Sequence, residues 1–273
     1  MKDKIKFLSL FYIWMFIGIQ FSLLLVNLGI KIDNTLSKVF INVVCETLIF
    51  ILAFLVYRKD IIKDFKKFIK TKNAFGEVIR IYIGVLVVSI SASIIMNGFA
   101  EIFNIELTGS DNNNTLQKYL LSAPVLMAMG TIIIGPFYEE VIMRLGLEKG
   151  LKNKKVFAVF SGLIFGIIHV VDSLIVIFVL PLIGLLIDYI INLKKSKLFT
   201  TTCIITVLLF VGISACIYLN YVHIDIKEAI YSISYISMGV YFALMYLKYK
   251  NIFYTIIPHM IVNTIATIFL FFI

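Results

Sequence analysis

The feature that most constrains this chain is a succession of apolar runs, each about the length that crosses a bilayer. A spanning helix needs about 20 mainly apolar residues. Nine stretches qualify: 7–29, 37–57, 79–99, 119–147, 156–171, 174–192, 198–220, 229–247 and 252–273. The fifth is short and the fourth long. The expected fold is therefore all-α, a polytopic transmembrane helix bundle of eight to nine spans. Composition agrees. Of 273 residues, 61% are hydrophobic and 15% charged, against about 45–50% and about 25% in soluble domains. The spans use up the chain and leave no room for a sizeable soluble domain.

The connectors carry the charge. MKDKIK, RKDIIKDFKKFIKTKN, EKGLKNKK, KKSK and KYKN are basic, and they alternate with IKIDNTLSK, the loop around TGSDNNN, VDS and NYVHIDIKE, which are less so. Basic loops stay on the cytoplasmic side, so the N-terminus is expected in the cytoplasm and the C-terminus outside. Residues 58–73 interleave lysines with apolar residues and read as an amphipathic helix on the cytoplasmic leaflet. The net charge of +9 is thus a matter of topology and anionic headgroups, and points to no nucleic acid. The N-terminal apolar run exceeds the length of a signal-peptide core and lacks a small-residue cleavage site, so it reads as a retained span. Cys45, Cys203 and Cys216 lie in apolar runs with no metal-like spacing.

Ionisable residues inside spans are costly and mark function by default. In GPFYEEVIMR, Glu140 and Arg144 are four apart and can pair on one helix face. Glu139 points about 100° away and is left for another task. Such charges also occur at span ends near headgroups. In FGIIH, Phe165 and His169 share a face, though a lone histidine in a span is often a packing residue. In PHMIVN, His259 and Asn263 share a polar stripe, which a helix–helix hydrogen bond would also explain. Pro136 and Pro258 precede the two richest polar stretches and suit kinked, site-lining helices. Counting helix rise from the basic ends puts Glu139, His169, His259 and Asn263 in one layer of the cytoplasmic half. Glu46 lies mid-span, facing a cavity or a neighbour. Asp188 sits near a basic end and pairs there or snorkels. His223 falls in an outer loop.

Together EEVIMR, FGIIH and HMIVN resemble the three motifs, EExxxR, FxxxH and HxxxN, of the CAAX prenyl protease and bacteriocin-processing family (CPBP, or ABI). The resemblance covers roughly 119–171 and 237–267, including MGVYFALMYLKYKNIFYTIIPHMIVN. It divides the chain into N-terminal spans, 1–118, and a protease core, 119–273. His169 and His259 are 90 residues apart, roughly twice the expected spacing, which suggests a two-span insertion near 173–221.

The resemblance implies an intramembrane endopeptidase acting on a peptide or membrane protein in the bilayer. Glu139 with His169 would hold and deprotonate water. His259 and Asn263 would donate to the oxyanion. Glu140, Arg144 and Phe165 would shape the pocket. Zinc held by Glu139, His169 and His259 is an open alternative, although H-E-x-x-H is absent and no metal is taken as obligatory. Relatives are linked to peptide processing, bacteriocin self-immunity and surface-protein regulation, and the Ile-, Lys- and Asn-rich composition suggests a bacterial plasma membrane. A non-catalytic scaffold or immunity protein binding a partner is the rival reading. A transporter ranks below it, since no half-to-half symmetry is evident. Substrate and oligomeric state are not written in the sequence.

Overall fold

The computed structural model describes residues 2–17, 34–170, 174–193, 201, 204 and 225–272, and these contain no strand. Nine helices are seen among them: α1 (Lys2–Met15), α2 (Thr35–Lys70), α3 (Ala74–Phe103), α4 (Asp111–Ser122), α5 (Pro124–Gly150), α6 (Lys154–Val170), α7 (Leu174–Asn192), α8 (Ile226–Tyr249) and α9 (Phe253–Phe272). Helices α2, α3, α5, α8 and α9 are long and apolar enough to cross a membrane. Their outward faces carry Leu55, Ile90, Ile94 and Phe269, all exposed, as lipid contact requires. Apart from Thr201 and Ile204, the candidate span 198–220 lies outside the described residues, as do His223 and the part of 7–29 beyond Ile17.

One helix boundary differs from the hydropathy reading. The stretch beginning at 119 is divided: α4 ends at Ser122, Ala123 leaves the helical region (φ −149°, ψ 72°), and Pro124 opens α5. Proline crowds the residue before it out of the helical region and lacks the N–H that would continue the ladder. The helix expected after 57 is present as the last part of α2, set off from the one before it by a kink at Tyr57 (φ −110°, ψ 15°).

The basic ends of the helices meet on one face of the bundle. Lys4 reaches the Asp188 carboxylate at 3.7 Å, and the same carboxylate accepts from the backbone N–H groups of Lys152 (2.9 Å) and Asn153 (2.7 Å). Lys149 pairs with Asp60 at 2.6 Å, and Lys250 pairs with Glu148. Beyond the Tyr57 kink, Asp64 fixes the α8–α9 turn, accepting from Ile252 N–H (3.0 Å) and, at its carbonyl, from Asn251 Nδ2 (2.8 Å). At the opposite face the loop before α4 ties to the start of α8. Asp111 N–H donates to Glu228 (2.9 Å) and Gly109 N–H to the Tyr231 hydroxyl (2.7 Å).

Helices α6 and α8 pack most closely. A Cβ on Gly162 would stand 2.3 Å from Val240 Cγ2, and one on Gly239 would stand 2.8 Å from Gly162 Cα. Small residues at such a crossing let backbones approach and gain dispersion where the hydrophobic effect gives nothing. This contact brings the end of α6 with His169 against Tyr235 of α8, their rings stacked at 4.7 Å.

Candidate active site

Helix α5 carries the two glutamates on a short α-helical stretch, Gly135–Glu140, between two π-helical segments, Met129–Ile134 and Val141–Gly146. Such π-turns recur at functional sites. The first has a local cause. Pro136 offers no N–H, and the Gly135 N–H reaches back five residues to the Gly130 carbonyl. The Thr131 carbonyl therefore loses both of its normal helical donors. Asn263 Nδ2 of α9 takes their place, donating to it at 2.8 Å.

Glu140 and Arg144 are fully buried, and Arg144 Nε lies 3.1 Å from Glu140 Oε2. The other Glu140 oxygen accepts from His259 Nδ1 at 3.0 Å. Arg144 Nη1 donates to Ser161 Oγ (2.9 Å), which donates in turn to the Met143 carbonyl (3.0 Å). The guanidinium also faces the rings of Phe165 (5.1 Å) and Phe242 (5.9 Å). A buried charge persists only when paired and hydrogen-bonded; this one has the ion pair to Glu140 and the bond to Ser161, while Nε and Nη2 make no hydrogen bond among the described residues. Phe165 further packs against His169 (centroids 4.5 Å apart) and edge-on to His259 (5.9 Å), while Phe242 stacks on His259 at 5.3 Å. An aliphatic residue at 165 would offer no ring face to the cation.

Glu139 faces elsewhere, as the 100° rotation requires. Its side chain is 14% exposed, and its Oε2 lies 3.8 Å from His259 Nε2. His169 Nδ1 lies 2.6 Å from the Phe165 carbonyl, which can only accept, so Nδ1 carries the proton and Nε2 is free. Glu139, His169, His259 and Asn263 line one cavity of about 580 Å³, together with Glu46 and Asn42 of α2. The structure does not bond Glu139 directly to His169. No three His, Cys, Asp or Glu side chains among the described residues converge as a metal site needs. The set Glu139, His169 and His259 therefore does not fit zinc in this arrangement.

The cavity lies deeper than its mouth suggests. Glu139 is eleven residues from the basic end of α5 at Gly150 and fifteen from Pro124, or ~17 Å and ~23 Å along the helix. Yet the lining continues to Ser110, Asn112, Asn113 and Thr115 at the opposite face. Toward the basic face lie the packed Val141, Ile142, Leu145, Phe157 and Ile252.

Several partners were not evident from the motifs. Ser161 stands four residues before Phe165 and eight before His169, so helical spacing puts it on their face. Asn42 and Glu46 share the same four-residue spacing. Thr131 carries no side-chain signal, because the group used is its carbonyl.

The sequence matches the family described as Type II CAAX prenyl endopeptidase Rce1-like over residues 121–265, more than half of the chain. No curated protein and no solved structure matches it. The match begins just before α5 and runs into α9, so it takes in both glutamates, Arg144, both cavity histidines and Asn263. An all-helical membrane bundle with this match belongs to the Rce1-like type II CAAX prenyl endopeptidase family, a family of membrane proteases.

Proposed function

We propose that this protein is an intramembrane endopeptidase in which Glu139 activates water, and that its substrate is a peptide or membrane protein reached from the extracytoplasmic side. The observation that carries the reading is the division of labour between adjacent carboxylates. Glu140 is consumed by Arg144 and His259, whereas Glu139 faces the cavity with no hydrogen bond of its own among the described residues. A carboxylate so placed is a suitable general base.

The steps follow from the donors and acceptors present. Water in the cavity gives its proton to Glu139 while its other hydrogen points at the free Nε2 of His169. The hydroxide adds to the peptide carbonyl. The oxyanion accepts from His259 Nε2–H and from the second N–H of Asn263, whose first is engaged by Thr131. Donors fixed before reaction stabilise developing charge without reorganisation. Because His259 Nδ1 donates to Glu140, donation from its Nε2 calls for the imidazolium, whose charge would offset Glu139 as Arg144 offsets Glu140. Glu139 then returns the proton to the leaving amine as the tetrahedral carbon collapses.

The side of access rests on the cavity mouth, which lies opposite the basic ends. By the positive-inside rule that mouth is extracytoplasmic, with the N-terminus inside and the C-terminus outside a bacterial plasma membrane. Processing of a secreted peptide, or self-immunity by cleaving one, fits this geometry better than cleavage of a cytosolic prenylated tail. The test is Glu139→Gln at matched membrane levels, with comparison of the cell's peptide products. Unchanged products would overturn the peptidase reading, and lost protection with unchanged products would favour a scaffold.

A further inference from the structure

The cavity holds a second carboxylate that the proposed chemistry does not use. Glu46 Oε1 accepts from Asn42 Nδ2 at 2.8 Å, but Oε2 is buried and has no hydrogen-bond partner among the described residues. Space for it is built in. A Cβ on Gly130 would stand 2.7 Å from Glu46 Oε2, so any other residue at 130 would displace the carboxylate. One π-turn further on, a Cβ on Gly135 would stand 3.7 Å from Glu139 Oε1. The two carboxylates therefore bracket the turn between Gly130 and Gly135. Five residues of helix span ~7 Å, and an extended peptide advances ~3.4 Å per residue. Glu46 lies on the mouth side of Glu139, since Gly130 is nearer Pro124.

Apart from His259, which faces Glu139 and Glu140, the lining supplies no counter-charge among the described residues. No Lys or Arg lines the cavity among the described residues, in a chain of net charge +9. A carboxylate that lines the cavity and has an unpartnered oxygen can be met by a cationic group brought in by a ligand. We propose that Glu46, seated over Gly130, is an anionic subsite receiving a positively charged group of the peptide substrate, about two residues from the bond that Glu139 attacks. The group is a lysine or arginine side chain or a free amine. A substrate that instead presents a C-terminal carboxylate there is repelled, which selects against the tail of a CAAX peptide. This inference rests on the peptidase reading for its geometry and is tested apart from it.

The experiment uses the full chain in lipid nanodiscs, inactivated by Glu139→Gln. The probes are fluorescent apolar peptides carrying, at one position at a time, lysine or its neutral analogue norleucine. Anisotropy gives Kd for each pair. A charge-assisted bond in a dry site predicts that lysine binds at least about tenfold tighter at one position. Adding Glu46→Gln, which keeps the acceptor for Asn42, reduces that ratio to about twofold or less. Gly130→Ala, which fills the cradle from α5, does the same and guards against misfolding of the first variant. No preference at any position, or a preference that survives both substitutions, overturns the subsite. Wild-type cleavage without a lysine preference leaves the peptidase reading intact and removes the subsite. Lysine-selective, Glu46-dependent binding with no cleavage of any probe does the reverse.

Discussion

Replacing Arg144 with methionine isolates the charge at the centre of the bundle. The side chain is fully buried, with Nε 3.1 Å from Glu140 and Nη1 2.9 Å from Ser161. Arg144→Met leaves the Glu140 carboxylate facing His259 alone, and stranding a buried charge costs about 3–5 kcal/mol. Lost cation–π contact with Phe165 and Phe242 adds about 2 kcal/mol. The buried methionine regains about 1.5–3 kcal/mol, so these two effects nearly cancel and the net loss stays near 3–5 kcal/mol. Denaturant titration in detergent micelles, followed by helical circular dichroism, measures it. The stringent arm is the double variant Glu140→Gln/Arg144→Met. Removing the stranded charge should restore about 1–2 kcal/mol relative to Arg144→Met. If the double variant is no more stable than the single one, Arg144 does not serve to neutralise Glu140, and the division of roles between the two glutamates fails with it.

Other outcomes follow from single contacts. Asn263→Leu orphans the Thr131 carbonyl and should cost about 1–3 kcal/mol by the same titration, in addition to any loss of cleavage. Gly239→Val drives a branched side chain into Gly162 Cα and Phe165 Cβ, which already stand 2.8 and 3.0 Å from a bare Cβ. It should part α6 from α8, lower stability by at least about 1–3 kcal/mol and abolish cleavage. In a chain lacking its native cysteines, Asn113→Cys should react with a membrane-impermeant thiol reagent on intact cells, and Lys152→Cys only after lysis. The opposite pattern would place the cavity mouth in the cytoplasm.

How much of this was written in the sequence depends on the kind of contact. Long apolar runs are one-dimensional signals, so the helical bundle and most of its helices could be read directly. The Glu140–Arg144 pair was legible for the same reason, since both partners sit on one helix with a fixed spacing. The bond between Glu140 and His259 joins residues 119 apart in sequence and depends on how α9 is rotated against α5, which periodicity does not encode. Asn263 was legible as a polar residue on the histidine's stripe, but its partner is a backbone carbonyl released by Pro136 and the π-turn. Helix rise gave the depth of Glu139 but not the direction from which the cavity is entered. That direction is set by the loop around Ser110 and by the packing of Val141, Ile142 and Phe157.

The two π-segments of α5 have one further consequence. Each turn of this kind holds an extra residue, so each is a phase slip of roughly 100° in the helical wheel. The stretch GPFYEE lies between two such slips and is indexed independently of the helix on either side. The outer parts of α5 can keep the facing that lipid and neighbouring helices demand, while the two glutamates are aimed by a separate rotation. A span in strict α-helical register would have to choose between the two facings.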